Sequence, residues 1–239
     1  MTVDVLHDAD GPVGRYERAE RNGHVYADFF TREPGVSPAR AARAVLAQLR
    51  GWRIAADEAL GLELVAAGGK PMRHAHLMSH DLAERPDWSE PPGYRLTDVD
   101  RPAADLVEAY RAAFGPGHVD HRPDETPDRA RALMDGYVAG GEFGPLLRGS
   151  GLAIAPDGSV AGAILLGRLP GDPPLNGPWL IEVFRHPDHR GVGRALIERA
   201  LALADVPVLG LMVTEGNPAR DLYEELGFRL VQTALVVQI

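Results

Sequence analysis

The chain contains no cysteine, which excludes disulfides and thiolate metal centres. Lysine is almost missing as well: Lys70 stands alone among 25 basic residues, a bias that reflects genome composition more than function. No run of about 18 apolar residues occurs, and the N-terminus MTVDVLHDAD has no basic, apolar leader, so neither a membrane span nor export is indicated and a cytoplasmic protein is expected. Positive charge is also in deficit. A net charge of −9 repels a phosphate backbone, which argues against nucleic acid as a main partner and is mildly permissive for a cationic substrate. At 239 residues there is length for one large domain or two small ones.

The most informative stretch is WLIEVFRHPDHRGVGRALIERALALA, Trp179 to Ala204. It reads as a buried strand, Trp179 to Phe184, a turn containing Arg190-Gly191-Val192-Gly193, and a helix. Leu196, Ile197, Ala200, Leu201 and Ala204 fall on one helical face, with Arg194, Glu198 and Arg199 pointing away. Glycines at a helix mouth let its free N–H groups approach an anion, which the helix dipole also favours. Such turns more often simply join a strand to a helix. Downstream, NPARDLYEELGF reads as a second short helix, with Asn217 as N-cap, Pro218 at the first helical position and Gly227 as its stop.

Together these stretches resemble the GNAT N-acetyltransferase superfamily. Its loop pattern, Gln/Arg-x-x-Gly-x-Gly/Ala, is met by Arg190, Gly193 and Ala195. Its second-helix pattern, Asn-x-x-Ala/Ser-x-x-x-Tyr/Phe ending in Gly-Phe, is met by Asn217, Tyr223, Gly227 and Phe228, with Ala219 one place early. The apolar phase of the first helix also suits a second register, in which Gly191-Val192-Gly193 closes the loop and Asp188 takes the Arg/Gln position. Arg190 is the preferred phosphate ligand.

The rest of the chain reads in an order that suits this resemblance. Residues 94–239 give a strand at Tyr94 to Thr97, helices at Ala103 to Phe114 and Asp128 to Val138, and a hairpin of Leu146 to Ala155 with Ser159 to Leu169. The central strand, loop helix, a strand at Val206 to Thr214, the short helix and a strand at Leu230 to Ile239 follow. Residues 89–93 form a proline-rich linker. Before it, residues 1–88 carry a hairpin about Arg21-Asn22-Gly23, helices at Ser37 to Arg50 and Ala56 to Ala67, and a strand at Met72 to Leu82. Their order mirrors the C-terminal half and resembles a degenerate partial GNAT unit, as in mycothiol synthase-like tandem proteins. Aligning Gly68 with Gly227 puts Glu58 at the Asn217 position and Leu64 at the Tyr223 position, so this copy is expected to be silent. The expected fold class is α/β with a mixed α+β sheet: a GNAT-like acyl-CoA N-acyltransferase fold preceded by a smaller, degenerate α/β half-domain. His74, His76 and His80 share a strand, but without a cysteine or acidic ligand nearby in sequence no metal is expected.

The resemblance implies an acetyl-CoA-dependent N-acetyltransferase acting on a small-molecule amine or an amino terminus by direct attack. It places pantetheine on the backbone of Val183, Phe184 and Arg185, and the diphosphate on Arg190, Gly191, Val192, Gly193, Arg194 and Ala195, with Asn217 and Tyr223 completing the cofactor side. Tyr223 would protonate the departing thiolate, although its spacing also suits plain core. Glu182 is the candidate base, and His118, Asp120, His121 and Glu142 lie in segments that line the acceptor cleft. Two alternatives remain: a non-catalytic acyl-CoA-binding or regulatory module, and an acyltransferase using a longer acyl-CoA.

Overall fold

A computed structural model describes residues 3–21, 23–174 and 176–239. The chain divides into two compact units, residues 1–76 with 232–239, and residues 77–231. The sequence boundary at residue 88 differs from this division because two strands, described below, carry the chain from one unit into the other.

In the first unit β1 (Val3–Asp8), β2 (Gly11–Arg21) and β3 (His24–Arg32) form antiparallel pairs. Asn22 of the expected hairpin turn lies outside the described residues. Then come α1 (Pro38–Gln48), β4 (Arg53–Asp57), α2 (Glu58–Ala66) and the start of β5 (Lys70–Asp81). The expected helix from Ala56 is corrected here. Residues 53–57 alternate half-exposed and buried with the period of a strand, and the helix starts only after Asp57, whose carboxylate accepts the Leu60 N–H at 3.0 Å. β4 runs parallel to β3 and antiparallel to the end of the last strand, β11 (Arg229–Gln238), and Leu235 and Val237 of β11 join Ile54, Leu60 and Leu64 in this unit's core.

In the second unit β6 (Arg95–Thr97) precedes a single 3-10 turn at Ala103–Leu106, α3 (Val107–Ala113) and α4 (Pro127–Val138). Next are β7 (Gly151–Ile154), β8 (Val160–Leu169), β9 (Gly177–Arg185), α5 (Val192–Leu203), β10 (Val208–Thr214), α6 (Ala219–Glu225) and β11 (Arg229–Gln238). The strand expected from Leu146 begins at Gly151 instead, because Ser150 N–H turns back to the Leu147 carbonyl at 3.1 Å. The strand order is β5-β10-β9-β8-β7-β6. One apolar cluster joins α5 and α6 to the sheet through Leu180, Leu196, Leu209 and Tyr223. Another joins α3 and α4 through Leu106, Tyr110, Met134 and Leu165. Two apolar clusters in one unit let a sheet carry helices on both sides.

Candidate active site

The site begins with an irregularity in β9. Leu165 of β8 faces Glu182, and Leu166 faces Leu180, so Ile181 is one residue more than its partner strand has. Such a bulge bends the strand that carries it. β9 and β10 run parallel, yet among the described residues they pair only at Trp179 and Gly210. The two strands touch there because Gly210 has no side chain: a Cβ would run into the Trp179 ring. Beyond that point Val183, Phe184 and Arg185 pair with Ile164, Ala163 and Gly162 of β8 on one edge, while β10 leaves the other edge.

That open edge leads into the turn before α5. Gly191 sits at φ 81°, a left-handed conformation open to glycine at little cost, and no side chain caps the helix. The N–H groups of the first turn are therefore open to a ligand. Val192, Leu196, Ile197 and Ala200 are buried and hold the helix down. Packing does not demand glycine at position 193, where a Cβ would lie an ordinary 3.8 Å from Arg185 Cδ. Arg190 is exposed and has no hydrogen bond or ion pair among the described residues. Asp188, the alternative by register, lies 3.6 Å from His186 Nδ1. Arg185 turns its guanidinium onto the Pro187 carbonyl at 2.9 Å, and Arg194 is committed to Glu225 of α6 and, at 3.8 Å, to Glu198. Uncapped N–H groups, an unpaired cation and an open strand edge suit a ligand with a diphosphate and an amide-bearing arm.

Three phenols lie within electrostatic reach of Glu182. Tyr223 of α6 is 5% exposed, and its ring meets Phe228 edge-on at 5.7 Å. Burial pushes its phenol above the usual range, and the charges of Glu182 and then Asp120 push it further. Burial first and Glu182 second push Tyr110 up to about 12. The same two causes, in the same order, raise Tyr137. Glu182 is half-buried. A sequence reading takes Tyr110 as core and has no reason to single out Tyr137. The signal for Tyr110 is its neighbour, since it packs edge-on against Phe184 of β9 at 5.5 Å and brings α3 over the strand.

Of the four loop residues expected near an acceptor, Asp120 is the one drawn into the site. It accepts from Thr214 Oγ1 at 2.6 Å and from Asn217 Nδ2 at 3.0 Å. His118 packs edge-on against Phe114 at 5.1 Å, His121 Nδ1 meets the Phe114 carbonyl at 2.8 Å, and Glu142 is exposed. Asn217 acts one step earlier than an N-cap, for the helix starts at Ala219, whose N–H it accepts at 2.9 Å. Of the strand histidines, His74 and His76 lie with ring centroids 5.7 Å apart, His74 meets Glu58 at 3.1 Å, His76 meets Thr233 at 3.0 Å, and His80 packs on Phe228. Among the described residues no group of three or more potential ligands is placed to hold a metal, and no helix is long and apolar enough to cross a membrane.

A family model described as acetyltransferase (GNAT) family matches residues 104–228, more than half of the chain. A mycothiol acetyltransferase of Tsukamurella paurometabola is 30% identical over 126 residues, which are 49% of this chain and 41% of that relative. The match thus spans less than half of the relative's length. Among solved structures, a GCN5-related N-acetyltransferase from Sphaerobacter thermophilus superposes with a TM-score of 0.65 at 18% identity, covering 98% of this chain and 79% of the other. A tandem GNAT protein from the clavulanic acid biosynthesis pathway gives a TM-score of 0.53 at 19% identity, covering 99% and 82%. At these identities the likeness is one of fold, and it extends over both units.

Proposed function

This chain belongs to the acetyltransferase (GNAT) family, and we propose that it transfers an acetyl group from acetyl-CoA to the nitrogen of a small-molecule amine or an amino terminus. The observation that carries this reading is the parting of β9 from β10 beyond Trp179 and Gly210, which runs into the uncapped turn at Gly191. Val183, Phe184 and Arg185 would offer their open backbone edge to the pantetheine arm. Gly191, Val192, Gly193, Arg194 and Ala195 would present the helix mouth to the diphosphate, with Arg190 supplying the charge. When bound, acetyl-CoA supplies an activated acyl carbon and a thiolate leaving group.

The chain's own residues then have two proton tasks. An alkylamine has a pKa of about 10 and must lose a proton before it attacks. The carboxylate of Glu182, half-buried beside the bulge, would accept it. The second task falls to the Tyr223 hydroxyl. A phenol raised by burial keeps its proton across the neutral range, so it has one to give, or to share in a hydrogen bond, as charge builds on sulfur. The acceptor would lie between Glu182 and the phenols of Tyr110 and Tyr137, an anionic, aromatic surrounding that favours a cation.

The test is thiol release from acetyl-CoA by the full chain across a panel of amines. The panel includes mycothiol-related amines, because a relative is a mycothiol acetyltransferase. Amine-dependent release with N-acetylated product supports the reading. Failure to bind CoA even at millimolar concentration ends it.

A further inference from the structure

Asp120 lies on the loop between α3 and α4, and both of its carboxylate oxygens are in use. Oδ1 accepts from Thr214 at the end of β10, and Oδ2 accepts from the Asn217 amide at 3.0 Å. That amide is used at its other end too, where its oxygen accepts the N–H of Ala219, the first residue of α6, at 2.9 Å. An amide has one donor end and one acceptor end. By taking the donor end, Asp120 turns the acceptor end toward α6. α6 has seven residues, too few to sustain itself without support at its ends, and it carries Tyr223. The loop itself is folded back on α3, with His121 on the Phe114 carbonyl at 2.8 Å and the Asp120 N–H on His118 Nδ1 at 3.1 Å.

We infer that Asp120 is a positioning residue that ties the α3–α4 loop to the start of α6, so that Tyr223 is held in place while the loop is docked. Its consequence for catalysis rests on the function proposed above; the tie itself does not. The carboxylate acts through Asn217, and its charge is not what the tie requires. Asp120→Ala removes both acceptor oxygens and severs the tie, whereas Asp120→Asn can keep it, because its amide oxygen can accept from Asn217 while the Thr214 hydroxyl turns to accept from its amide N–H. The double exchange Asp120→Asn with Asn217→Asp reverses the polarity and keeps the geometry. The new amide at position 120 donates to the new carboxylate at position 217, whose second oxygen still accepts the Ala219 N–H, and Thr214 still donates to position 120.

Hydrogen exchange over residues 115–125 and 217–226 reads the tie in the full chain without reference to activity, and acetyl transfer reads its consequence. Asp120→Ala is expected to lower protection in both segments together, and Asp120→Asn and the exchange of partners to keep it. The kcat for acetyl transfer should fall about tenfold in Asp120→Ala, with the KM for acetyl-CoA changed by less than about threefold, and stay near wild type in the double exchange. Should Asp120→Ala not fold, Asn217→Asp severs the same tie by opposing two carboxylates while keeping the α6 cap, and the loop segment then reads the loss. Unchanged protection in Asp120→Ala, or a double exchange as exposed as Asp120→Ala, overturns the inference. Protection kept in the double exchange without kcat also overturns it, since the charge at position 120 would then be the active element. An enzyme that acetylates no amine would defeat the proposed function, and the exchange result would still decide the tie.

Discussion

The two units follow one order of elements, β3-α1-β4-α2-β5 in the first and β9-α5-β10-α6-β11 in the second, yet they treat their strand gaps and helix mouths in opposite ways. In the first, β3 and β4 stay paired at Tyr26 with Arg53, Ala27 with Ile54 and Phe30 with Ala56. The Ser37 side chain caps α1 through the Arg40 N–H at 3.3 Å, and Asp57 caps α2. In the second, β9 and β10 pair at one position and α5 has no side-chain cap. Each cap or strand pairing stabilises a fold by satisfying backbone groups. Where both are withheld, those groups remain for a ligand. At the second helix the difference is one of side-chain chemistry, for fully buried Leu64 stands at the position corresponding to the phenol of Tyr223.

The contrast breaks most directly at Gly193. A Cβ there makes only an ordinary 3.8 Å contact with Arg185 Cδ, and the rest of a leucine side chain would occupy the space before the helix mouth. Gly193→Leu should weaken CoA binding by about a hundredfold or more, as read by calorimetry on the full chain, with the melting temperature little changed. Retained affinity would move the ligand away from α5. The same calorimetry tests the first unit, which we propose to be silent: the wild type should bind one CoA per chain, and a second CoA would show that capped helix mouths do not exclude it. Next in size is Tyr223→Phe. A hydroxyl that helps only as charge builds on sulfur is expected to contribute on the order of a hundredfold to kcat while leaving the KM for acetyl-CoA nearly unchanged. A variant that turns over within about twofold of wild type would make Tyr223 core, on a par with Leu64.

The loop and helix of the second unit were legible because glycine, apolar spacing and stop signals coincide between Trp179 and Gly227. The order of its elements was legible for the same reason. What escaped lay in pairings rather than in local pattern. The sequence assigns no element to residues 53–55 and runs Ala56 and Asp57 into a helix, because Ala56 and the stretch after it suit one, although residues 53–57 alternate as a strand; the Asp57 cap decides where the strand ends. The Ile181 bulge cannot be read from β9 alone, since it exists only relative to β8. Tyr110 and Tyr137 sit on helical faces that packing would explain by itself, and only the way α3 and α4 cover β9 and its neighbours brings them to Glu182. Asp120 was visible as a loop acid, but its link to Asn217 spans 97 residues, beyond the reach of any local signal.

The smallest effect expected concerns how the first unit is held. Its outer elements are joined by ion pairs, among them Arg40 with Asp8, which ties α1 to β1 at 2.7 Å. The Arg40 guanidinium, through its hydrogen bonds, holds the Asp8 carboxyl down to about 2, against an ordinary 3.8. A carboxylate with a depressed folded-state pKa binds protons less readily folded than unfolded. Its contribution is therefore complete above about 3.8 and is lost as pH falls through about 2. The pair is partly exposed, so solvent screens it and its share of stability is small. Asp8→Asn should lower the urea midpoint slightly at neutral pH, and the difference from wild type should shrink between pH 4 and pH 2. CoA affinity, which belongs to the other unit, should not follow it. An affinity that fell together with the midpoint would show that the closed unit supports the open one, and the comparison between them would have to be redrawn as a dependence.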